Sequence, residues 1–338
     1  MKLSTNWINH KQYIKLLKNN FLKDASLFHH EDWLRVISLG FNAELKIVAT
    51  FGKDNRIVAI TPFMHKKKGP FKLFGSPLRG LYTQFTGTLF IEELHEEEKY
   101  SVLRSQSQFI KKIAHYIEFG FENENNEKTN DAFKSIGYES VIRSSLIINL
   151  DLNQSELLKS YTSRARNMIK KSVKMNVVVH EVNPNKEWIK NYYVMLKDTF
   201  LRRGSSCPHP IKFFYELINM NSSKKVLFLE AKKNGLFIAG SIFLIDRNRM
   251  IYLSGTSNLE GMKTAATSAL QYYAMVYGIK NGCTRYDMGG LGIPSIDKFK
   301  YSFGGNKYYQ DRWVFKSKLF SLIEPIGEWA IKKGLLRL

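Results

Sequence analysis

Residues 50–63, Thr-Phe-Gly-Lys-Asp-Asn-Arg-Ile-Val-Ala-Ile-Thr-Pro-Phe, and residues 230–243, Glu-Ala-Lys-Lys-Asn-Gly-Leu-Phe-Ile-Ala-Gly-Ser-Ile-Phe, carry one pattern twice. Each is an apolar run, a charged Asn-containing turn, and a second apolar run with a small residue inside it, the signature of a β-hairpin. Each half also holds a Phe-Lys pair ahead of glycine: Phe133-Lys134 with Gly137, and Phe299-Lys300 with Gly304, at spacings that differ by one. A repeated supersecondary unit implies duplication. Hairpins mixed with helices, and no G-x-G-x-x-G or Walker A element, favour an α+β fold of mixed sheets flanked by helices over a Rossmann fold. The expected organisation is a first domain over 1–152, a second over 153–315, and a C-terminal amphipathic helix over 316–338.

Periodicity fills in the elements. A helix is expected near the start, then 30–39 with Trp33, the hairpin 45–51/56–64, a loop punctuated by Pro70, Gly75, Pro77 and Gly80, a run at 81–91, a long helix over 100–117, a solvated acidic loop at 122–131, and a strand at 146–152. The second series reads helix 157–174, strand 176–181, helix 184–200, a meander 226–231/236–245/250–254, helix 264–279 and a short strand 284–288.

The longest apolar runs are broken by glycine or charge, so no membrane-spanning helix is expected. Asn6, Asn9, His10 and Lys11 interrupt any signal-peptide core, which makes the cytoplasm the expected location. Cys207 and Cys283 are too few for a disulfide framework or a Cys-rich zinc site, and no His/carboxylate cluster suggests another metal. Cys207 and His209 lie two apart on one loop, poor geometry for a nucleophile and its base. The net charge of +21 attracts polyanions where the cations cluster, and otherwise describes a solvated basic surface.

Five segments could carry chemistry. In residues 160–174, Arg166, Lys170 and Lys174 stand four apart on one helical face, with no acid between Leu158 and His180. That is an anion clamp, or a solvated face near acids brought in by the fold. In 286–306, Asp287 ends a short strand, glycines follow, and Lys298, Phe299 and Lys300 precede Gly304-Gly305, combining cation, aromatic surface and open backbone. In 254–267, Gly261, Thr264 and Ala265 open a helix whose amides could hold a phosphate, or else pack it closely on a sheet. Arg202 and Arg203 reach a cleft or favour a negative helix end. Residues 313–338 form a basic amphipathic helix that lies on an anionic membrane or docks its apolar face on the domain.

Arg166-Asn-x-Ile-Lys-Lys-Ser, Tyr286-Asp-x-Gly-Gly and Lys298-Phe-Lys-x-x-Phe-Gly-Gly, in that order, resemble the FemABX-like branch of the GNAT superfamily, over about residues 20–315. The resemblance implies tandem GNAT-like acyltransferase domains and transfer of an acyl or aminoacyl group to an amine on a peptidoglycan or polysaccharide precursor. The acceptor would be an anionic envelope precursor linked to a nucleotide or lipid diphosphate. The co-substrate would be aminoacyl-tRNA or acyl-CoA, with no resident cofactor. Lys300, with Phe299 beside it, would contact the acceptor or stabilise an oxyanion. Asp287 would orient or deprotonate the amine. Arg166, Lys170, Arg202, Arg203, Tyr252, Lys298, Gly304 and Gly305 would bind substrate, and Gly261, Thr264 and Ala265 would meet a cofactor portion. A monomer touching the inner membrane face is implied. The chain lacks the long charged helical hairpin of the staphylococcal-type bridge enzymes, and residues 254–267 lack the usual acyl-CoA pyrophosphate-loop pattern. A CoA-dependent N-acyltransferase and a non-catalytic binder of RNA or anionic lipid are the alternatives.

Overall fold

The computed structural model describes residues 3–18, 25–122, 127–220 and 223–332, with side chains described for these except 127–129 and 327–332. The first half runs β1 (Ser4–Ile8), α1 (His10–Lys18), a 3-10 turn at Leu27–His29, α2 (Glu31–Phe41), β2 (Glu44–Phe51), β3 (Ile57–Lys68), β4 (Phe71–Ser76), β5 (Leu89–Phe90), α3 (Glu96–Lys111), β6 (Tyr116–Gly120), α4 (Glu127–Ser135) and β7 (Glu139–Asn149). The second runs α5 (Gln154–Ser160), α6 (Ser163–Lys174), β8 (Val178–Glu181), α7 (Lys186–Leu201), α8 (Ile211–Ile218), β9 (Val226–Lys233), β10 (Leu236–Asp246), β11 (Arg249–Ser257), α9 (Leu259–Lys263), α10 (Ala266–Lys280), β12 (Arg285–Gly290), α11 (Pro294–Tyr301), β13 (Asn306–Lys316) and α12 (Lys318–Lys332). Among the described residues no helix is long and apolar enough to cross a membrane.

The repeated motif is a hairpin in both halves: β2 pairs β3 and β9 pairs β10. Its turns bend at Asn55, and at Asn234-Gly235, where φ is positive and Asn and Gly carry the least steric penalty. After each hairpin comes one more strand, a helix, and a strand parallel to the one before: β4 pairs β6, and β11 pairs β12, both parallel. The long helices are α3 and α10.

Two compact units result, Met1–Arg143 with Tyr309–Leu338, and Ser144–Tyr308. In the first the strand order is β1-β2-β3-β4-β6-β13, and in the second β8-β9-β10-β11-β12-β7. Each unit therefore closes on a strand from the other half of the sequence: β13 pairs β6 through Trp313↔Phe119, and β7 pairs β12 through Ile148↔Tyr286. The first core gathers Phe63, Phe74, Ile117, Phe119, Phe133 and Trp313. The second gathers Leu146, Leu157, Phe243, Leu270, Met275 and Tyr286.

Several expectations change. The helix expected over 100–117 ends at Lys111, and Tyr116–Gly120 is a fully buried strand. The helix expected over 157–174 is two helices, broken where Tyr161 and Thr162 are extended and Thr162 caps the second by accepting from the Ala165 amide. The acidic loop expected at 122–131 is helical from Glu127; residues 123–126 lie outside the described set. The run at 81–91 is strand only at Leu89–Phe90. Of the C-terminal helix, the side chains of Trp329 and Lys332, and all of Lys333, Leu335, Leu336 and Arg337, lie outside the described residues.

Candidate active site

In the second unit, the parallel ladder between β11 and β12 lasts three residue pairs, from Arg249↔Arg285 to Ile251↔Asp287. Beyond it β12 turns to its other neighbour, where Gly290 lies opposite Ser145 and the Leu291 amide donates to the Ser144 carbonyl at 2.8 Å. The two parallel strands part at Tyr252 and Met288. Gly289 sits at φ +76°, a backbone conformation that L side chains rarely adopt, and a β-carbon there would meet the Tyr252 carbonyl and Lys300 Nζ at ordinary contact distance, 3.5 and 3.7 Å.

Asp287 and Lys300 meet at this point. Asp287 is buried, and its Oδ1 accepts from the Gly289 amide at 2.7 Å, which fixes the turn after the strand. Lys300 comes from α11, which starts on Pro294 in the first turn, where its missing N–H costs nothing. Its side chain is buried, and Nζ donates to the Gly290 carbonyl at 2.6 Å. Burial pushes the Lys300 ammonium below the ordinary lysine range, and Asp287 and then Asp297 pull it partly back. Asp297 in turn accepts from the Gly292 amide, at 2.9 Å to Oδ2. An ammonium offers three donors, and one is committed to Gly290.

Tyr252 stands on β11 next to the parting. Burial pushes its phenol up to about 12, and Arg203 and then the nearby Ser241 hydroxyl pull the other way. Gly255 leaves room beside it: a β-carbon would fall 2.1 Å from the Tyr252 hydroxyl and 2.9 Å from Ser241 Oγ, so a larger residue would displace the phenol. Ser241 and Gly255 carried no signal that separates them from ordinary packing residues in the sequence, whereas Gly289 belongs to the Tyr286-Asp-x-Gly-Gly run already singled out. Arg202 Nη2 donates to the Ser257 carbonyl at 2.7 Å and to Thr199 Oγ1 at 2.9 Å, which ties the end of α7 to the end of β11. Arg203 is exposed.

Other candidates have structural partners. Arg166 Nη1 donates to the Tyr161 and Lys159 carbonyls and so closes the end of α5. Lys170 and Lys298 are exposed. Phe299 packs edge-on against Phe303, with centroids 5.2 Å apart. Gly304 and Gly305 admit the chain's own backbone: a β-carbon would stand 3.0 Å from the Ser160 carbonyl and 2.6 Å from that of Ile147 respectively. The Thr162 amide and hydroxyl both donate to the Ser302 carbonyl, so α6 begins against this same loop. In α9, ahead of α10, Gly261 presses on the Ile238 carbonyl, where a β-carbon would stand at 2.3 Å. Thr264 and Ala266 are fully buried, and Ala265 takes a left-handed conformation. The Cys207 thiol donates to the His209 backbone carbonyl at 3.7 Å rather than to its imidazole, and burial raises the thiol's pKa, so the pair is no nucleophile and base.

Residues 223–307 match the model of the FemAB family, a segment that runs from β9 through α11 and holds Tyr252, Asp287 and Lys300. No curated protein matches significantly. Among solved structures, FemX is 16% identical, with a TM-score of 0.71, over 96% of this chain and 100% of that one. L-PGS from Bacillus licheniformis is 12% identical, with a TM-score of 0.57 over 96% of each chain. A tandem GNAT protein from the clavulanic acid biosynthesis pathway is 9% identical, with a TM-score of 0.58 over 93% of this chain and 98% of that one. The fold is that of FemX, and the tandem GNAT protein shares it.

Proposed function

We propose that this FemABX-like acyltransferase moves an aminoacyl group from an ester donor to an amine on a cell-envelope precursor. The observation that carries the reading is the buried Lys300 ammonium beside Asp287 where β11 and β12 part, inside the segment that matches the FemAB family. Amine attack on an ester carbonyl builds negative charge on the carbonyl oxygen, and the free N–H groups of Lys300 are the donors for it. In a dry pocket such a donor is worth more than in water, because its charge is unscreened. Asp287, held by the Gly289 amide, keeps the charge balance that leaves Lys300 protonated and orients the attacking amine. Tyr252 and Arg203 border the same parting of the strands and would contact the donor or acceptor.

The acceptor is read as anionic, carried on a nucleotide or lipid diphosphate, in keeping with the net charge of +21. Exposed Lys170, Lys298, Arg202 and Arg203 are the candidates for its phosphates. Aminoacyl-tRNA is favoured over acyl-CoA as donor. The approach to α10, where a pyrophosphate would seek amides, is filled by buried Thr264, Ala265 and Ala266, and Gly261 of α9 presses on Ile238 just before it. An acceptor on a lipid diphosphate would bring the reaction to a membrane face.

Purified protein given aminoacyl-tRNA or acyl-CoA with a UDP-linked muropeptide, and read by mass spectrometry, tests the reading. Product with wild type and a loss of about 10²-fold or more in kcat for Lys300→Ala, with an unchanged melting curve, are expected. Full activity in Lys300→Ala would remove it.

A further inference from the structure

The apolar stripe of α12 is turned outward. Leu319, Leu322, Ile323 and Ile326 follow the i, i+3, i+4, i+7 spacing of one helical face, and they are 55%, 73%, 39% and 64% exposed. What holds this stretch to its unit is the opposite face. Phe320 packs edge-on against Phe71 at 5.3 Å and tilts over Tyr116 at 5.6 Å. Glu324, one turn on, takes Arg79 at 3.5 Å and Lys316. A helix that only needed to cover its domain would bury the leucines and expose the glutamate; this one does the reverse.

Cations gather beside α12. Arg79 and Lys316 flank Glu324, and Lys318 is exposed in the first turn of α12. Lys68 lies directly opposite Phe71 in the β3–β4 ladder, and Lys66 opposite Leu73. Cross-strand partners share a sheet face, so both lysines stand on the face that meets α12 through Phe71. Lys68 is exposed, and burial lowers the pKa of Lys66. Of the helix's two acids, Glu324 is already paired, and the side chain of Glu328 lies outside the described residues. An outward apolar stripe on a cation-rich part of the unit complements a surface with anionic headgroups above an acyl interior. A second copy of the same patch would instead set cation against cation.

We propose that α12, with Leu319, Leu322, Ile323 and Ile326 inserted and Lys68, Arg79 and Lys318 on the headgroups, seats this protein on an anionic lipid bilayer. The proposal stands on α12 and its neighbours and draws nothing from the transfer chemistry.

Co-sedimentation of the full chain with phosphatidylcholine vesicles, and with vesicles of phosphatidylcholine and phosphatidylglycerol at 70:30, is the test. Partitioning at least about tenfold stronger to the anionic vesicles, and falling with salt, is expected. A Leu322→Asp/Ile326→Asp double variant should lose about tenfold or more of that partitioning with an unchanged melting temperature and unchanged turnover of a soluble acceptor. A Lys68→Glu/Lys318→Glu variant should bind the two vesicle types alike. Equal binding of wild type to both vesicle types would overturn the proposal. So would a double-Asp variant that still sediments, which would assign the attraction to diffuse charge. A concentration-dependent dimer in sedimentation velocity, abolished by the same Asp pair, would overturn it in favour of a second copy.

Discussion

Lys300 was legible as a candidate from its neighbours, a cation between glycines and aromatics, but its setting was not. That its ammonium lies beside Gly289, and that Gly290 supplies its carbonyl, depends on a strand changing partners, which no local pattern records. Arg166 shows the opposite case. Its spacing with Lys170 is that of an anion clamp, yet its guanidinium closes the end of α5, because that helix stops at Ser160 where the periodicity runs on. The state of Lys300 gives a pH prediction. Burial lowers its pKa, so the protonated donor is lost as pH rises through a value below that of an ordinary lysine. The alkaline limb of the kcat profile should therefore fall below the usual lysine range. Lys300→Arg, which stays protonated, should lose that limb even if its rate is lower. A wild-type profile flat to the ordinary lysine range would argue against Lys300 as the donor.

Among elements, the duplicated hairpins were readable because turn chemistry and alternation are local. β6 was not. Ile110, Ile113 and Ile117 keep near-helical spacing across the end of α3, and a strand buried on every side has no polar alternation to betray it. What fixes β6 is long-range. Glu118 on it accepts from Arg312 of β13 at 2.9 Å, from the Arg79 amide at 2.9 Å and from the Tyr116 hydroxyl at 3.1 Å. Gly120 leaves room for the Arg312 side chain, since a β-carbon would meet it at 2.6 Å. Removing one partner of such a buried pair strands the other's charge. Glu118→Ala should lower stability by about 3 kcal/mol, read as an earlier urea midpoint. A Glu118→Leu/Arg312→Met pair should recover most of it. A Glu118→Ala midpoint equal to wild type would mean the pair contributes no more than a solvated one.

For the whole molecule, division near residue 152 is what the repeat suggests, and the contacts divide the chain at 143/144 and again at 308/309. The difference has a physical origin: β7 and β13 leave their own half of the sequence to complete the other's sheet. Pairing between strands so far apart is invisible to propensity and periodicity, which report on neighbours within a turn or two. A fragment of residues 1–152 should consequently fail to give a cooperative melt, because β6 loses the strand beside it. A fragment of 144–308 retains β7 opposite β12 and should melt more cooperatively than one of 153–315. Cooperative unfolding of the 1–152 fragment would contradict this.

The traded strands also set a timetable for biosynthesis. Phe119 leaves the ribosome roughly 190 residues before the Trp313 it must pair with, a wait of about 10–40 s at ordinary elongation rates. For that interval the nascent chain presents an unzipped apolar margin, the kind of surface chaperones bind. Slow codons late in the message would lengthen its dependence on them.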